Sequence, residues 1–245
     1  MVARLPCKCR IASSARNHYP AAVKHSGKAL LAALKLIGFA CLVLIGPAIA
    51  CLGYAIHSLA WVLIAFWVAF AGFTFYFFRD PVPLTPTGRN LVVAPAHGKV
   101  DVVDSSTEPD FMGGGCRRIS IFLSVFDVHV QNAPVPGRVA LLKHTPGQYL
   151  NAMSTDSAQF NENLLLGLNA SEPPGEKIGV RLIAGLIARR IVPWIAQGDT
   201  VQRGDRIGLI QFGSRVEIYL PERAKIMVQL GQKVIGGETV IAALD

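Results

Sequence analysis

Residues 36–78 read LIGFACLVLIGPAIACLGYAIHSLAWVLIAFWVAFAGFTFYFF, with no charged side chain. One bilayer crossing takes about 20 apolar residues, so this run is too long for one span and suits two. Two transmembrane helices are predicted, Leu36–Ile56 and Leu59–Phe78, turning at His57 and Ser58. Gly46 and Pro47 fall inside the first span, where a neighbouring helix tolerates a kink. The competing reading, a buried helical hairpin in a soluble core, is disfavoured by the length of the run. No Asp or Glu precedes Asp80, whereas Arg4, Lys8, Arg10, Arg16, Lys24, Lys28 and Lys35 come before the first span and Arg79 closes the second. Basic residues beside short spans stay on the cytoplasmic side. The expected layout is a basic cytoplasmic tail over residues 1–29, a hairpin over 30–79 and a cytoplasmic domain over 80–245. The tail should lie on anionic lipid headgroups. The long basic lead and the second span argue against a cleaved signal peptide.

That tail accounts for much of the net charge of +8 without a nucleic-acid partner. The cysteines, Cys7, Cys9, Cys41, Cys51 and Cys116, are odd in number and irregularly spaced. They form no disulfide framework and suit a reducing compartment. Cys7-x-Cys9 is a poor metal signal, and no zinc, EF-hand or phosphate-loop spacing occurs, so no metal is expected.

Asp80-Pro81-Val82-Pro83-Leu84-Thr85-Pro86 reads as an extended linker. Beyond it, short β-prone runs alternate with Gly, Pro and Asp: 91–94, 99–103, 118–124, 138–142, 178–183, 206–211, 216–220 and 240–242. Strands at this spacing predict a mostly β (α+β) domain of sandwich or barrel type. A short helix is expected over Ile187–Ile195. The segments 198–207 and 231–240 repeat the pattern Gly-x-x-Val-x-x-Gly-acid-x-β-branched. Such glycines suit tight turns between strands. Pro95-Ala96-His97-Gly98 and Pro134-Val135-Pro136-Gly137 form a weaker echo. The repeat is similar to the turn–strand units of biotinyl and lipoyl carrier domains, a flattened β-sandwich. No lysine occupies a carrier-type hairpin tip, so a swinging-arm module is disfavoured.

Four segments carry chemistry in combination: Phe77-Phe78-Arg79-Asp80-Pro81, Ile121–Val130 with Asp127-Val128-His129, Ile183–Ile191, and Gln211-Phe212-Gly213-Ser214-Arg215. Gly-Ser-Arg alone is an ordinary turn. In this order and spacing the set resembles the short bacterial and archaeal phosphatidylserine decarboxylases, over about residues 30 to 245. The resemblance implies a proenzyme that converts phosphatidylserine to phosphatidylethanolamine and CO₂ at the cytoplasmic face of the inner membrane. Removing CO₂ from an α-amino acid needs an electron sink. In this family the sink is a covalent pyruvoyl group (pyruvate) that forms a Schiff base with the substrate amine. The Ser214 hydroxyl would attack the Gly213 carbonyl, giving an ester. Elimination would release a β chain of residues 1–213 and leave dehydroalanine, which water would hydrolyse, with loss of ammonia, to the pyruvoyl group heading the α chain 214–245. The two chains would remain a heterodimer. Gly213 suits the strained backbone this attack needs.

A serine nucleophile needs a base, and the resemblance points to His129. Asp127, two residues earlier on an expected strand, either orients the imidazole or ends a turn. The family usually has Asp where this chain has His97. His97 therefore either replaces the usual partner as a second base, or Asp101 or Asp127 stands in for it. Arg189, Arg190 and Arg215 are candidate ligands for the phosphodiester and carboxylate of the substrate; the alternative is ordinary surface arginines. An ether-lipid substrate, archaetidylserine, has the same headgroup and stays open. A non-catalytic scaffold that lost processing through His97 is disfavoured because Gly213, Ser214 and His129 are all present. The charge pattern yields a direct test. A topology reporter fused after Asp245 is expected to be active only in its cytoplasmic form; activity on the far side of the membrane contradicts the hairpin.

Overall fold

The structure, a computed structural model, describes residues 25, 27–53, 57–150, 157–185, 190–211 and 214–244. Two long helices come first, α1 (Lys28–Gly53) and α2 (His57–Phe77). Both are long and apolar enough to cross a membrane. Phe39, Leu42 and Trp61 point outward at 67%, 79% and 66% exposure, an apolar belt that no protein covers. The buried positions include Ala48, Ala60 and Ala71, small side chains that allow close helix packing. α1 starts at Lys28 and not at Leu36. Residues 28–35 are all Lys, Ala and Leu, strong helix formers. Their Ala29 and Ala33 are fully buried in a cluster with Val128, Val130 and Leu209.

The remaining described residues form a mostly β domain with one helical turn, α3 (Ser157–Phe160). Strands are numbered along the chain. An eight-stranded antiparallel sheet runs, in spatial order, β13 (Lys233–Val234), β2 (Gly98–Glu108), β3 (Gly114–Leu123), β11 (Ser214–Leu220), β7 (Pro174–Ala184), β6 (Asn163–Ser171), β5 (Gly137–Thr145), β9 (Thr200–Val201). Two three-stranded sheets accompany it: β1 (Leu91–Val93), β14 (Val240–Ala243), β12 (Lys225–Ile226), and β4 (Val130–Asn132), β10 (Arg206–Ile210), β8 (Ile191–Pro193). One core joins all three sheets, with Val92 and Ala242 from the first small sheet, Ile207 and Ile210 from the second, and Ile121, Leu166 and Val216 from the large one.

The strand order is palindromic: β13, β2, β3 and β11 on one side answer β9, β5, β6 and β7 on the other. The repeated glycine motifs lie at equivalent places. Gly98 pairs with Val234, and Gly137 pairs with Val201. A Cβ on Gly98 would sit 2.2 Å from the Phe122 carbonyl oxygen, and one on Gly137 would sit 2.3 Å from that of Asn169. Only glycine permits this approach of two backbones. Each half also carries a bulge after this glycine, between Val100 and Val102 and between Val139 and Leu141. The domain is thus two similar halves, the second (β4–β10) inserted between β3 and β11 of the first.

All eight predicted strand runs are strands, several longer than predicted. The expected helix over Ile187–Ile195 is not formed at Ile191–Pro193, which is β8, paired with β10. β-branched Ile191 and Val192 satisfy that edge, and Pro193, which has no N–H, ends it. β6 went unpredicted because its Leu164-Leu165-Leu166 run has neither alternation nor β-branched residues.

The end of α2 belongs to the core of the β domain as much as to the hairpin. Phe77 is fully buried and Phe78 4% exposed, against Val128, Val130 and Leu209. Asp80 follows and accepts a 2.6 Å bond from Arg206 Nε at the head of β10; Arg206 is 1% exposed. Removing one partner of a buried ion pair leaves an uncompensated charge. Asp80→Asn is therefore expected to lower unfolding stability by about 3 kcal/mol, measurable by denaturation in detergent; an unchanged midpoint contradicts this anchor.

Candidate active site

Ser214 opens β11 and is fully buried. It pairs with Leu123, the last residue of β3, and with Ala184, the last of β7. Strand alternation puts it on the face of Val216, Ile218 and Leu220, which lie in the main core. Its Oγ is buried and, among the described residues, has no hydrogen-bond partner. Such a hydroxyl costs about 1–3 kcal/mol in stability, and orphans of this kind call for an explanation beyond packing. Gly213 and Phe212, just before it, lie outside the described residues, as does Arg189.

The duplication explains where this serine sits. In the second half β6 turns into β7 through Glu172 and Pro173, with Ser171 paired to Pro174. At the equivalent place β3 ends at Leu123 and β11 begins at Ser214, paired but joined only through residues 124–213. The hairpin is open there, and the chain leaving Leu123 carries the histidine.

That chain makes a turn closed by Asp127 N donating to the Ser124 oxygen at 3.0 Å. The Asp127 carboxylate accepts from Ser124 N and Ser124 Oγ, each at 2.8 Å. Asp127 is thus on a turn and not on a strand face, and its side chain serves the turn. Its backbone carbonyl does the orienting: His129 Nδ1 lies 2.9 Å from Asp127 O. A carbonyl only accepts, so Nδ1 carries the proton and the basic lone pair falls on Nε2. The imidazole is fully buried and stacks on Phe77, with centroids 4.1 Å apart. Burial pushes its pKa down to about 4; the Asp127 carbonyl and carboxylate oppose this, while Arg79 and His97 push further down. His129 is neutral near pH 7, the state a base requires. Past the histidine, Ile210 N donates to His129 O at 3.2 Å, and β4 pairs with β10 through Val130 and Leu209. One end of the histidine segment therefore meets Ser214, and the other meets the strand that leads to it.

His97 reaches the same region. A Cβ on Gly236 would lie 3.0 Å from His97 Cδ2 and 2.9 Å from Asn132 Oδ1, so a glycine of the repeat makes room for the ring. Burial lowers the His97 pKa, with Arg79 acting the same way and Asp127 and Glu238 against it. Asp101 is paired with an arginine. It sits at the β2 bulge and takes both ends of the Arg215 guanidinium, at 2.9 and 2.7 Å. Arg215, which also donates to Ser120 Oγ at 2.7 Å, is 1% exposed. It is not a surface arginine.

Arg190 is exposed and borders a cleft of about 500 Å³ between α1 and the β domain. Lys28, Lys35 and Arg190 supply cations, Leu36, Phe39 and Trp194 supply apolar wall, and Gln211 brings the cleft to the segment before Ser214. No carboxylate lines it among the described residues. Sequence reasoning missed Lys28 and Lys35 as lining groups, and Phe77 as the partner of His129. The quoted Phe77–Pro81 segment was the available signal.

Comparison with known proteins assigns this chain to a decarboxylase class. The sequence profile of phosphatidylserine decarboxylase matches residues 70–242. Similar curated proteins are the phosphatidylserine decarboxylase proenzymes of Desulfotalea psychrophila (44% identical, 70% of this chain and 79% of that protein), Ruegeria pomeroyi (45%, 70% and 78%) and Symbiobacterium thermophilum (43%, 80% and 89%). The chain belongs to the phosphatidylserine decarboxylase family.

The depressed histidine gives a pH test. In the unfolded chain histidine titrates near 6.5, above the folded value, so unfolding takes up a proton between these limits. The contribution of His129 to stability is whole above pH 6.5 and is lost as pH falls toward 4, by about 3 kcal/mol. Imidazole ¹⁵N shifts of folded protein should show His129 neutral, protonated on Nδ1, down to about pH 4; titration near 6.5 contradicts the buried, neutral assignment.

Proposed function

We propose that this chain is a membrane-anchored proenzyme that cuts itself between Gly213 and Ser214, and that it converts phosphatidylserine to phosphatidylethanolamine and CO₂. The observation that carries this reading is the buried Ser214 hydroxyl, without a partner among the described residues, at a strand junction from which the chain runs on to a neutral histidine. Elimination carries the Ser214 oxygen away with the Gly213 carboxylate, and hydrolysis of the resulting dehydroalanine puts a carbonyl at the α-carbon and releases ammonia; a hydroxyl with no partner among the described residues is removed without loss of a hydrogen bond there, so the residue fits a pyruvoyl group. Once formed, that group would supply the electron sink for decarboxylation.

His129, through Nε2, takes the Ser214 proton as Oγ attacks the Gly213 carbonyl, and can return it to the departing nitrogen. Phe77 excludes water from the ring. His97, close enough to bias His129 electrostatically, is a second proton carrier in place of the usual acid. Cleavage need not separate the products. Every residue of β11 is buried, and β11 stays between β3 and β7 while β13 and β14 stay paired with β2 and β1. The α chain therefore remains part of a heterodimer.

Arg190, with Lys28 and Lys35, suits the lipid phosphodiester, and the apolar wall suits the start of its acyl chains. The basic flanks favour the cytoplasmic face of the cell membrane, where the substrate carboxylate lies at headgroup depth. The headgroup of archaetidylserine satisfies the same contacts. The duplicated Gly-x-x-Val units favour a plan akin to the biotinyl and lipoyl barrel-sandwich.

Intact mass of purified protein should show two chains, 1–213 and 214–245, the smaller with a blocked N-terminus. Ser214→Ala should remain one chain without activity; cleavage at this site in that variant would remove Ser214 as nucleophile. Arg190→Ala should leave self-cleavage intact and raise KM for vesicle phosphatidylserine about tenfold, as loss of one charged contact does. An unchanged KM removes Arg190 from the substrate site.

A further inference from the structure

Four consecutive residues where α2 leaves the membrane converge on the histidine segment. Arg79 Nη2 donates to the Phe126 carbonyl at 2.6 Å, and Arg79 Nη1 donates to the Tyr76 carbonyl at 2.8 Å. The Tyr76 hydroxyl donates to the same Phe126 carbonyl at 3.2 Å, and the guanidinium lies 4.1 Å from the Tyr76 ring centroid. Phe77 stacks on His129, and Phe78 packs edge-on against Phe77. The turn being held has little packing of its own: the Phe126 side chain is 62% exposed. The next carbonyl along, that of Asp127, is the one that orients His129.

We propose that Arg79 is a positioning residue for self-cleavage: by gripping the Phe126 carbonyl it holds the turn from which Asp127 aims His129 at Ser214, so that docking of the membrane hairpin is a condition of processing. This rests on the assignment of His129 as base. The grip is charge-assisted and shared by two donors, the geometry that most firmly fixes a carbonyl. Without it the turn keeps the internal bonds of Ser124 and Asp127 but loses its tie to the helix. The groups acting electrostatically on His129 are then Asp127 and His97, with Glu238 facing His97. A chain whose hairpin has not docked would have neither the grip nor the Phe77 cover. It would stay uncut until it reached the membrane.

The test is a time course of self-cleavage for the full chain synthesised cell-free into phospholipid vesicles, read by intact mass across pH. Arg79→Gln is expected to slow cleavage at least about tenfold, the scale of one strong contact in the transition state. It should also move the acid limb of the profile to higher pH, because a cation that disfavours His129 protonation is gone. Arg79→Lys should restore the acid limb but only part of the rate. A wild-type rate and limb in Arg79→Gln, with His129→Ala uncut, overturns this proposal alone. Cleavage of His129→Ala overturns the base assignment instead. If Arg79→Gln does not accumulate folded, Arg79→Lys and Tyr76→Phe decide: full wild-type rates in both overturn the proposal.

Discussion

The pairing of β11 between β3 and β7 is the constraint on which the rest of the structure depends. It closes the large sheet at its centre, where seven consecutive buried residues pair with β3 and the first six of them also with β7. It brings together strand ends far apart in sequence, Leu123 and Ser214. In the other half of the domain the same junction is a simple turn between β6 and β7. Opening that turn in one copy creates a place where two chain segments meet at the end of a rigid sheet, with a buried backbone and little water. A side chain there is held by neighbours on both sides, so in the proposed self-cleavage the sheet would position the attacking hydroxyl.

A second constraint is the shared core of hairpin and domain. Membrane helices joined to a soluble domain by a linker alone would leave the site indifferent to the bilayer. Here the last turn of α2 places two phenylalanines in the domain, and Asp80 neutralises a buried arginine at the head of β10. α1 extends below its apolar run to dock through Ala29 and Ala33. The cleft between α1 and the domain thus has one basic and apolar wall from the membrane hairpin and one from the β domain. A phospholipid has the matching polarity, an anionic head above apolar chains.

Burial also settles the electrostatics. His129 loses its water and keeps one carbonyl acceptor, so the neutral form prevails and the tautomer is set. Asp127, the apparent partner by sequence, contributes through its backbone while its carboxylate ties the turn. Arg215 and Asp101 neutralise each other on the opposite face of β11. Ionic groups near Ser214 in sequence are therefore not its chemical neighbours, because alternate residues of a strand face opposite ways.

Much was legible in the sequence because it rests on local rules. An uncharged run of bilayer length dictates a helical hairpin, since every backbone polar group must be satisfied within it. The short β-prone runs and the glycine repeat dictate a mostly β domain. Gly98 and Gly137 were readable as glycines with a purpose; that each admits a backbone oxygen was not. The segments of 77–81, 121–130 and 211–215 were legible as a family pattern. What only the tertiary structure decided depends on pairing between distant segments. It turned Ile191–Pro193 into an edge strand, made β6 from a leucine run, sent Arg215 to Asp101 and put Phe77 on His129. The physical reason is the same in each case: local propensity is worth a few tenths of a kcal/mol per residue, and burial of a side chain or an ion pair outweighs it.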